Sequence, residues 1–318
     1  MRDGFIKVAA GTPEIRVADC AYNAQACLSL LHQAAAEGVK VLCLPELCLT
    51  GYTCGDLFLQ DTLLQGAEGA LRFLLEGSKD LDLLAVVGVP VRYNQKLFNC
   101  AAVFCRGVLL GLVPKIHLPN YTEFYEGRWF TSGRELRGTD FCIPFAGQES
   151  VEFSTGLLFR CVNEPLLTIG VEICEDLWVA DPPSTRLAQG GATLVLNPSA
   201  SDETVCKDAY RRTLLEATSG RLVCGYVYAD AGWGESSTDL IYAGHSLIAE
   251  NGTILAERRF ATGLTITEID LQKLAHERQR MTTYPACQRE GYEVVPFSMP
   301  MAHAEISRPI SPHPFVPD

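Results

Sequence analysis

Three residues of this chain stand where an apolar run gives out and carry groups suited to one kind of chemistry. Cys174 lies in Gly-Val-Glu-Ile-Cys-Glu-Asp-Leu-Trp (170–178), where the apolar segment 166–173 runs into a thiol flanked by acids. Glu46 follows Val-Leu-Cys-Leu-Pro (41–45), and Lys115 follows Gly-Leu-Val-Pro (111–114). Folded α/β chains gather their reactive groups at such strand ends. A thiol, a base and a cation are the parts of amide hydrolysis. The thiolate is the working nucleophile, and an unperturbed cysteine, with a pKa of about 8.5, needs a neighbouring base or cation to reach that state. Glu46 is the candidate to take its proton and return it to the leaving amine. Lys115 would stabilise the thiolate and the oxyanion of the tetrahedral intermediate, with the backbone N–H of Glu175 as a second donor.

The elements that must position these groups alternate early in the chain. Apolar, β-branched runs at 6–10, 39–44, 83–91, 101–113, 166–173, 192–196, 222–228, 245–249 and 264–269 predict strands. Amphipathic stretches at 18–37, 56–75 and 203–218 predict helices. Arg106-Gly107 and Asn251-Gly252 predict hairpins joining 101–104 to 109–113 and 246–249 to 253–256. Mixed sheets covered by helices follow. Within the third helical stretch, Arg211 and Arg212 read as a solvated face.

Bulk composition narrows the partners. With 47% hydrophobic and 20% charged residues, the 318-residue chain is a compact globule, large enough for one big domain. A formal charge of −12 disfavours nucleic acid and anionic membranes, which leaves a small molecule or another protein. Thirteen scattered cysteines without a Cys-x-x-Cys pair point to reduced thiols and a cytoplasmic protein rather than to zinc. The six histidines form no metal-binding pattern, and no cofactor is expected. Gly244-His245-Ser246 falls short of a serine-hydrolase elbow because Ile248 stands where glycine is needed.

The order Pro-Glu, Pro-Lys and Glu-Ile-Cys-Glu-Asp resembles the Glu-Lys-Cys triad of the nitrilase (carbon-nitrogen hydrolase) superfamily. That resemblance implies an αββα sandwich, with Glu46 as general base, Lys115 as oxyanion stabiliser and Cys174 as nucleophile. Leu-Pro-Glu-Leu-Cys-Leu-Thr-Gly-Tyr-Thr-Cys-Gly-Asp-Leu-Phe (44–58) and the segment 115–130, with its run Asn-Tyr-Thr-Glu-Phe-Tyr-Glu-Gly-Arg-Trp-Phe (120–130), give a narrower match. They resemble the glutaminase domains of the glutamine-dependent NAD synthetase family. By that resemblance, Glu123 or its neighbour Glu126 is the additional glutamate that orients the lysine or substrate. Tyr52, Tyr121, Phe124, Glu175, Trp178 and Ser201 would line a pocket for L-glutamine. The reaction implied is release of ammonia through a Cys174 thioester, supplying NAD biosynthesis. Another amidase of the superfamily, acting on an ω-amide, an N-carbamoyl amino acid or an aliphatic amide, is the alternative.

The resemblance also implies an ATP-pyrophosphatase synthetase domain downstream, using ATP and Mg, whose Ser-Gly-Gly-x-Asp-Ser phosphate loop does not occur in these 318 residues. Homo-oligomers are expected by resemblance alone. The expected division is a glutaminase domain over 1–281 and a proline-rich tail or linker over 282–318, where seven prolines fall with little periodicity.

Overall fold

The structure, a computed structural model, describes residues 4–136, 142–301 and 305–312. The first part of the chain lays down β1 (Phe5–Thr12), β2 (Val41–Cys43), β3 (Leu84–Tyr93), β4 (Lys96–Cys105), β5 (Val108–Pro114), β6 (Cys142–Phe145) and β7 (Gln148–Phe153). A second group follows: β8 (Leu157–Cys161), β9 (Thr168–Val171), β10 (Leu194–Ser199), β11 (Gly225–Asp230), β12 (Ser246–Glu250) and β13 (Thr253–Arg258). Then β14 (Gly263–Asp270) crosses back to run antiparallel along β1, and β15 (Glu293–Phe297) runs parallel to β8. Among the described residues the result is an eight-stranded sheet, β14-β1-β2-β3-β4-β5-β7-β6, and a seven-stranded sheet, β13-β12-β11-β10-β9-β8-β15.

Alternation along each strand divides its side chains between two layers of core. In β3, Leu84 and Val86 face the second sheet, where they meet Ile169, Val171, Leu194 and Leu196. Their neighbours Ala85 and Val87 face outward, against α1 (Cys20–Ala36) and α2 (Asp61–Gly77) through Leu28, Leu31, Leu71 and Leu74. Burial on both faces explains why these strands read as continuous apolar runs. The second sheet is covered on its far side by α3 (Pro183–Gln189) and α4 (Lys207–Leu222), with Leu215 and Leu222 against Val195, Tyr226 and Leu247. A further helix, α5 (Leu271–Arg280), starts at Asp270, whose side chain accepts from the Lys273 N–H at 2.9 Å. The layering is the expected αββα sandwich. No helix of the described residues is long and apolar enough to cross a membrane.

Both expected hairpin turns form, with φ of 50° and 78° at Arg106 and Gly107, and 45° and 87° at Asn251 and Gly252. The segment 282–318 departs from the expectation of a plain tail. Its residues Glu293–Phe297 add an edge strand to the second sheet, the position in a sheet where Pro296 is tolerated despite its missing N–H. Farther on, the Arg308 guanidinium donates to Glu250 Oε2 at 2.9 Å, and Ser307 Oγ donates to Glu268 Oε1 at 2.9 Å. Residues 302–304 and 313–318 of that segment lie outside the described residues.

Candidate active site

Glu46 leaves the end of β2 in a tight turn that places Leu47 in the left-handed region, at φ 50°. Gly88, in the middle of β3, makes room for that turn: a Cβ there would stand 1.9 Å from the Leu47 nitrogen. The carboxylate is buried and surrounded by donors. Its Oε1 accepts from Asn99 Nδ2 at 2.6 Å and Lys115 Nζ at 2.7 Å, and its Oε2 accepts from the Ala200 N–H at 2.9 Å. Since Ala200 follows β10, this last bond ties the first sheet to the second.

Lys115 stands just past β5, fully enclosed, with its ammonium also donating to Glu126 Oε1 at 2.6 Å. Burial alone would lower its pKa, but the Glu126 and Glu46 carboxylates outweigh burial and hold it well above the usual lysine range. Glu126 is pushed up to about 7, by burial first and against the pull of Lys115. Two carboxylates around one ammonium leave an excess of negative charge that favours retaining a proton.

Cys174 follows the extended Ile173 at φ 46°, opening a short 3-10 turn, Cys174–Leu177. A non-glycine residue in that region stores on the order of 1 kcal/mol, held here by the surrounding bonds. Its N–H donates to Asn197 Oδ1 at 2.9 Å, and Asn197 Nδ2 donates to the Tyr226 hydroxyl at 3.0 Å. The Cys174 amide is therefore taken, which leaves the next amide, that of Glu175, as the backbone candidate for an oxyanion. The thiol is buried within the field of Glu46, Lys115 and Glu126. Burial, then Glu46, raises its pKa well above the ordinary range, and Lys115 pulls it back. Burial therefore favours the protonated thiol.

The three expected residues thus converge, and between the two candidate glutamates the structure gives the lysine to Glu126. The backbone folds back there, with the Glu126 N–H donating to Pro119 O at 3.2 Å, so that its carboxylate points inward. Glu123 instead lines, with Tyr52 and Phe124, a neighbouring cavity of about 140 Å³. Its carboxyl is held below the usual range by a hydrogen bond from Thr122, and Asp202 and Lys207 act on it too. The Tyr52 hydroxyl donates to Glu126 Oε1 at 2.8 Å, and the Tyr121 hydroxyl to Glu175 Oε1 at 2.9 Å. Tyr121 also packs edge-on against Phe124 at 6.0 Å. Ser201 is anchored by its N–H to Asp230 Oδ1 at 2.8 Å, and its Oγ accepts from Arg211 Nη2 at 3.0 Å.

Arg211 corrects the reading of a solvated helix face. It is fully buried, bonded to Ser201, to the Asp202 carbonyl at 3.1 Å and to His245 Nδ1 at 2.7 Å. Arg212 does face outward, paired with Glu257 and Glu216. Burial raises the Asp230 carboxyl to about 7 against Arg211, and lowers His245 to about 4. Sequence reasoning also missed Asn99, Asn197 and Lys207. Asn99 and Asn197 are single amides inside apolar strands, a visible signal of a buried polar contact. Lys207 opens α4: its ammonium pairs with Asp202 and sits 5.3 Å from the centre of the Trp178 ring and 5.6 Å from that of Phe124.

The model of the carbon-nitrogen hydrolases matches residues 7–279. The chain belongs to the carbon-nitrogen hydrolase family. It is 40% identical over 325 aligned residues to a glutamine-dependent NAD(+) synthetase of Mycobacterium tuberculosis, covering 99% of this chain and 47% of that protein. A human protein of the same name is 29% identical over 260 residues, covering 77% of this chain and 36% of its own length. Among solved structures, a glutamine-dependent NAD(+) synthetase from Cytophaga hutchinsonii matches at TM-score 0.72 and 31% identity, over 88% of this chain and 46% of that one. An amidase of the nitrilase superfamily from Nesterenkonia AN1 matches at TM-score 0.67 and 19% identity, over 88% of this hydrolase and 98% of the amidase, a likeness of fold. This carbon-nitrogen hydrolase spans about half the length of the curated relatives it matches.

Proposed function

We propose that this hydrolase releases ammonia from the side-chain amide of L-glutamine, and that a downstream ATP-dependent synthetase domain uses that ammonia to make NAD. The observation that carries the reading is one buried ammonium, that of Lys115, bonded to Glu46 and acting on the thiol of Cys174. The relatives at 40% identity, named for glutamine and NAD, supply the substrate class.

The electrostatics suggest the order of events. Because the thiol rests protonated, Glu46 removes its proton as sulfur attacks the amide carbon. Negative charge moves to the carbonyl oxygen, where the Lys115 ammonium and the Glu175 N–H receive it. Glu46 then passes its proton to the departing nitrogen, so ammonia leaves and a γ-glutamyl thioester remains. Water attacks the thioester as Glu46 takes one of its protons. Collapse of that second intermediate expels sulfur, which recovers the proton, and glutamate is released. The scheme uses only side chains, backbone and water.

The charged side chains near the thiol suit a zwitterion. Lys207, held over two aromatic rings, offers a cation to the α-carboxylate. Glu123 and Glu175 offer carboxylates to the α-ammonium. Ammonia release from glutamine, N-carbamoyl amino acids and simple aliphatic amides, compared at equal concentrations, tests the reading. Glutamine is the preferred substrate, and Cys174→Ala abolishes turnover; preference for a simple amide would overturn the assignment.

A further inference from the structure

Asp176, two residues past the nucleophile, has no part in the steps above, yet it touches both segments that carry them. Its Oδ2 accepts from the N–H of Ile173, the residue before Cys174, at 3.1 Å. The same oxygen takes a long bond of 3.4 Å from the N–H of Ile116, the residue after Lys115. Its Oδ1 accepts from the His117 main-chain N–H and from His117 Nδ1, both at 2.8 Å. The carboxylate is buried, while His117 is partly open to a cleft lined also by Arg134, Arg186 and Tyr292.

The tautomer of His117 follows from its other neighbour. Arg134 Nη2 stands 2.5 Å from His117 Nε2. A guanidinium can only donate, so Nε2 accepts and the ring proton sits on Nδ1, facing Asp176. The chain around Arg134 is fixed to the same exit: the Gly133 N–H donates to Lys115 O at 2.8 Å, and Ser132 Oγ donates to Ile116 O at 2.5 Å.

We propose that Asp176, with His117 behind it, is a positioning residue for the triad: one buried carboxylate fastens the cysteine turn to the lysine strand end and so sets the separation of thiol and ammonium. The argument is geometric. Lys115 comes from the first sheet and Cys174 from the second, and each tie to Asp176 lies within two residues of one of them. A loosened tie moves the ammonium relative to sulfur, and displacement of about 1 Å at such a site can cost 10²-fold. This inference rests on the thioester reading, but its main readout does not depend on which amide is cleaved.

The test compares Asp176→Asn, His117→Ala and His117→Asn with the unaltered chain. Cys174 alkylation by iodoacetamide is followed at pH 7 by peptide mass spectrometry, because Cys142, Cys206 and Cys287 are exposed and react as well. Glutamine turnover and melting temperature are measured in parallel. In Asp176→Asn, an amide NH2 replaces one acceptor facing those N–H groups, so alkylation and kcat fall together by roughly 10- to 100-fold. KM stays within about threefold, since binding contacts are untouched. His117→Ala shifts the same two quantities less, and His117→Asn, whose amide can donate from near the Nδ1 position, recovers most of the loss. Wild-type alkylation in Asp176→Asn, or in His117→Ala should the first variant not fold, would overturn the proposal whatever happens to the melting temperature. Retained alkylation control with no glutamine turnover in any form of the chain would instead remove the glutamine reading and leave Asp176 standing.

Discussion

Gly88→Ala is the sharpest perturbation available without touching a reactive group. A Cβ at Gly88 would lie 1.9 Å from the Leu47 nitrogen, 2.5 Å from the Glu46 carbonyl carbon and 2.7 Å from the Pro45 oxygen. All three are backbone atoms, so no rotamer change relieves the overlap. Ordinary contact begins near 3.4 Å, and the turn must therefore retreat by about 1.5 Å. Glu46 is carried on that turn, and its bonds of 2.6, 2.7 and 2.9 Å to Asn99, Lys115 and Ala200 do not survive such a shift. Overpacking of this kind costs about 1–3 kcal/mol of stability. Displacement of a catalytic group by an ångström or more costs kcat on the order of 100-fold. Ammonia release at saturating glutamine, with denaturant unfolding on the same preparation, separates the two effects. Gly69→Ala serves as control, because its Cβ would approach only the Arg72 guanidinium, at 4.0 Å. That variant keeps its kcat. A folded Gly88→Ala protein with undiminished kcat would refute the claim that this glycine holds the Glu46 carboxylate where the proposed reaction needs it.

Two other outcomes follow from the site. Lys207→Ala raises KM for glutamine by about 10- to 100-fold, the worth of one charged hydrogen bond, with a smaller change in kcat. Steady-state kinetics decide it, and Lys207→Arg recovers part of the affinity. Glu172, buried beneath the cysteine turn, accepts from the Tyr226 hydroxyl at 2.5 Å and the Ser184 N–H at 2.7 Å, and burial pushes its carboxyl up to about 7. Its folded pKa exceeds the unfolded value, so the folded state holds the proton longer. The stability it contributes is complete below about pH 4.5 and is lost as pH rises to about 7. Glu172→Gln removes that loss, on the order of 3 kcal/mol, and urea unfolding from pH 5 to pH 8 shows a flatter profile than wild type. An unchanged slope would place the titration elsewhere.

The strand ends that carry Glu46, Lys115 and Cys174 were legible because each is an apolar run stopped by one charged or thiol residue. Burial on both faces of β2 and β9 made those runs conspicuous. The choice between Glu123 and Glu126 was not legible, since it depends on how residues 119–126 fold back, a matter of backbone hydrogen bonds rather than residue type. Arg211 was misread because helical spacing cannot distinguish a solvated arginine from one drawn inward by Ser201 and Asp202 in the preceding loop and by His245 beyond the helix. The edge strand Glu293–Phe297 was hidden by proline, which excludes a central strand but not an outer one. The β3–β4 turn, Asn94-Gln95, was hidden too, since glutamine at φ 61° carries no turn signature. Asn99 and Asn197 could have been found: an isolated amide in a run of valine, leucine and alanine must meet a partner inside.

Glu46 and Lys115 issue from one layer of the sandwich and Cys174 from the other, with the interior packing of Val86, Ile169 and Leu196 as the bearing between them. The spacing of these three side chains is consequently a gauge of how the layers are aligned. A volume change at that bearing bears on the spacing of carboxylate, ammonium and sulfur, because close-packed interiors transmit strain. The separation of these three groups therefore depends on the fit of deeply buried, unreactive side chains.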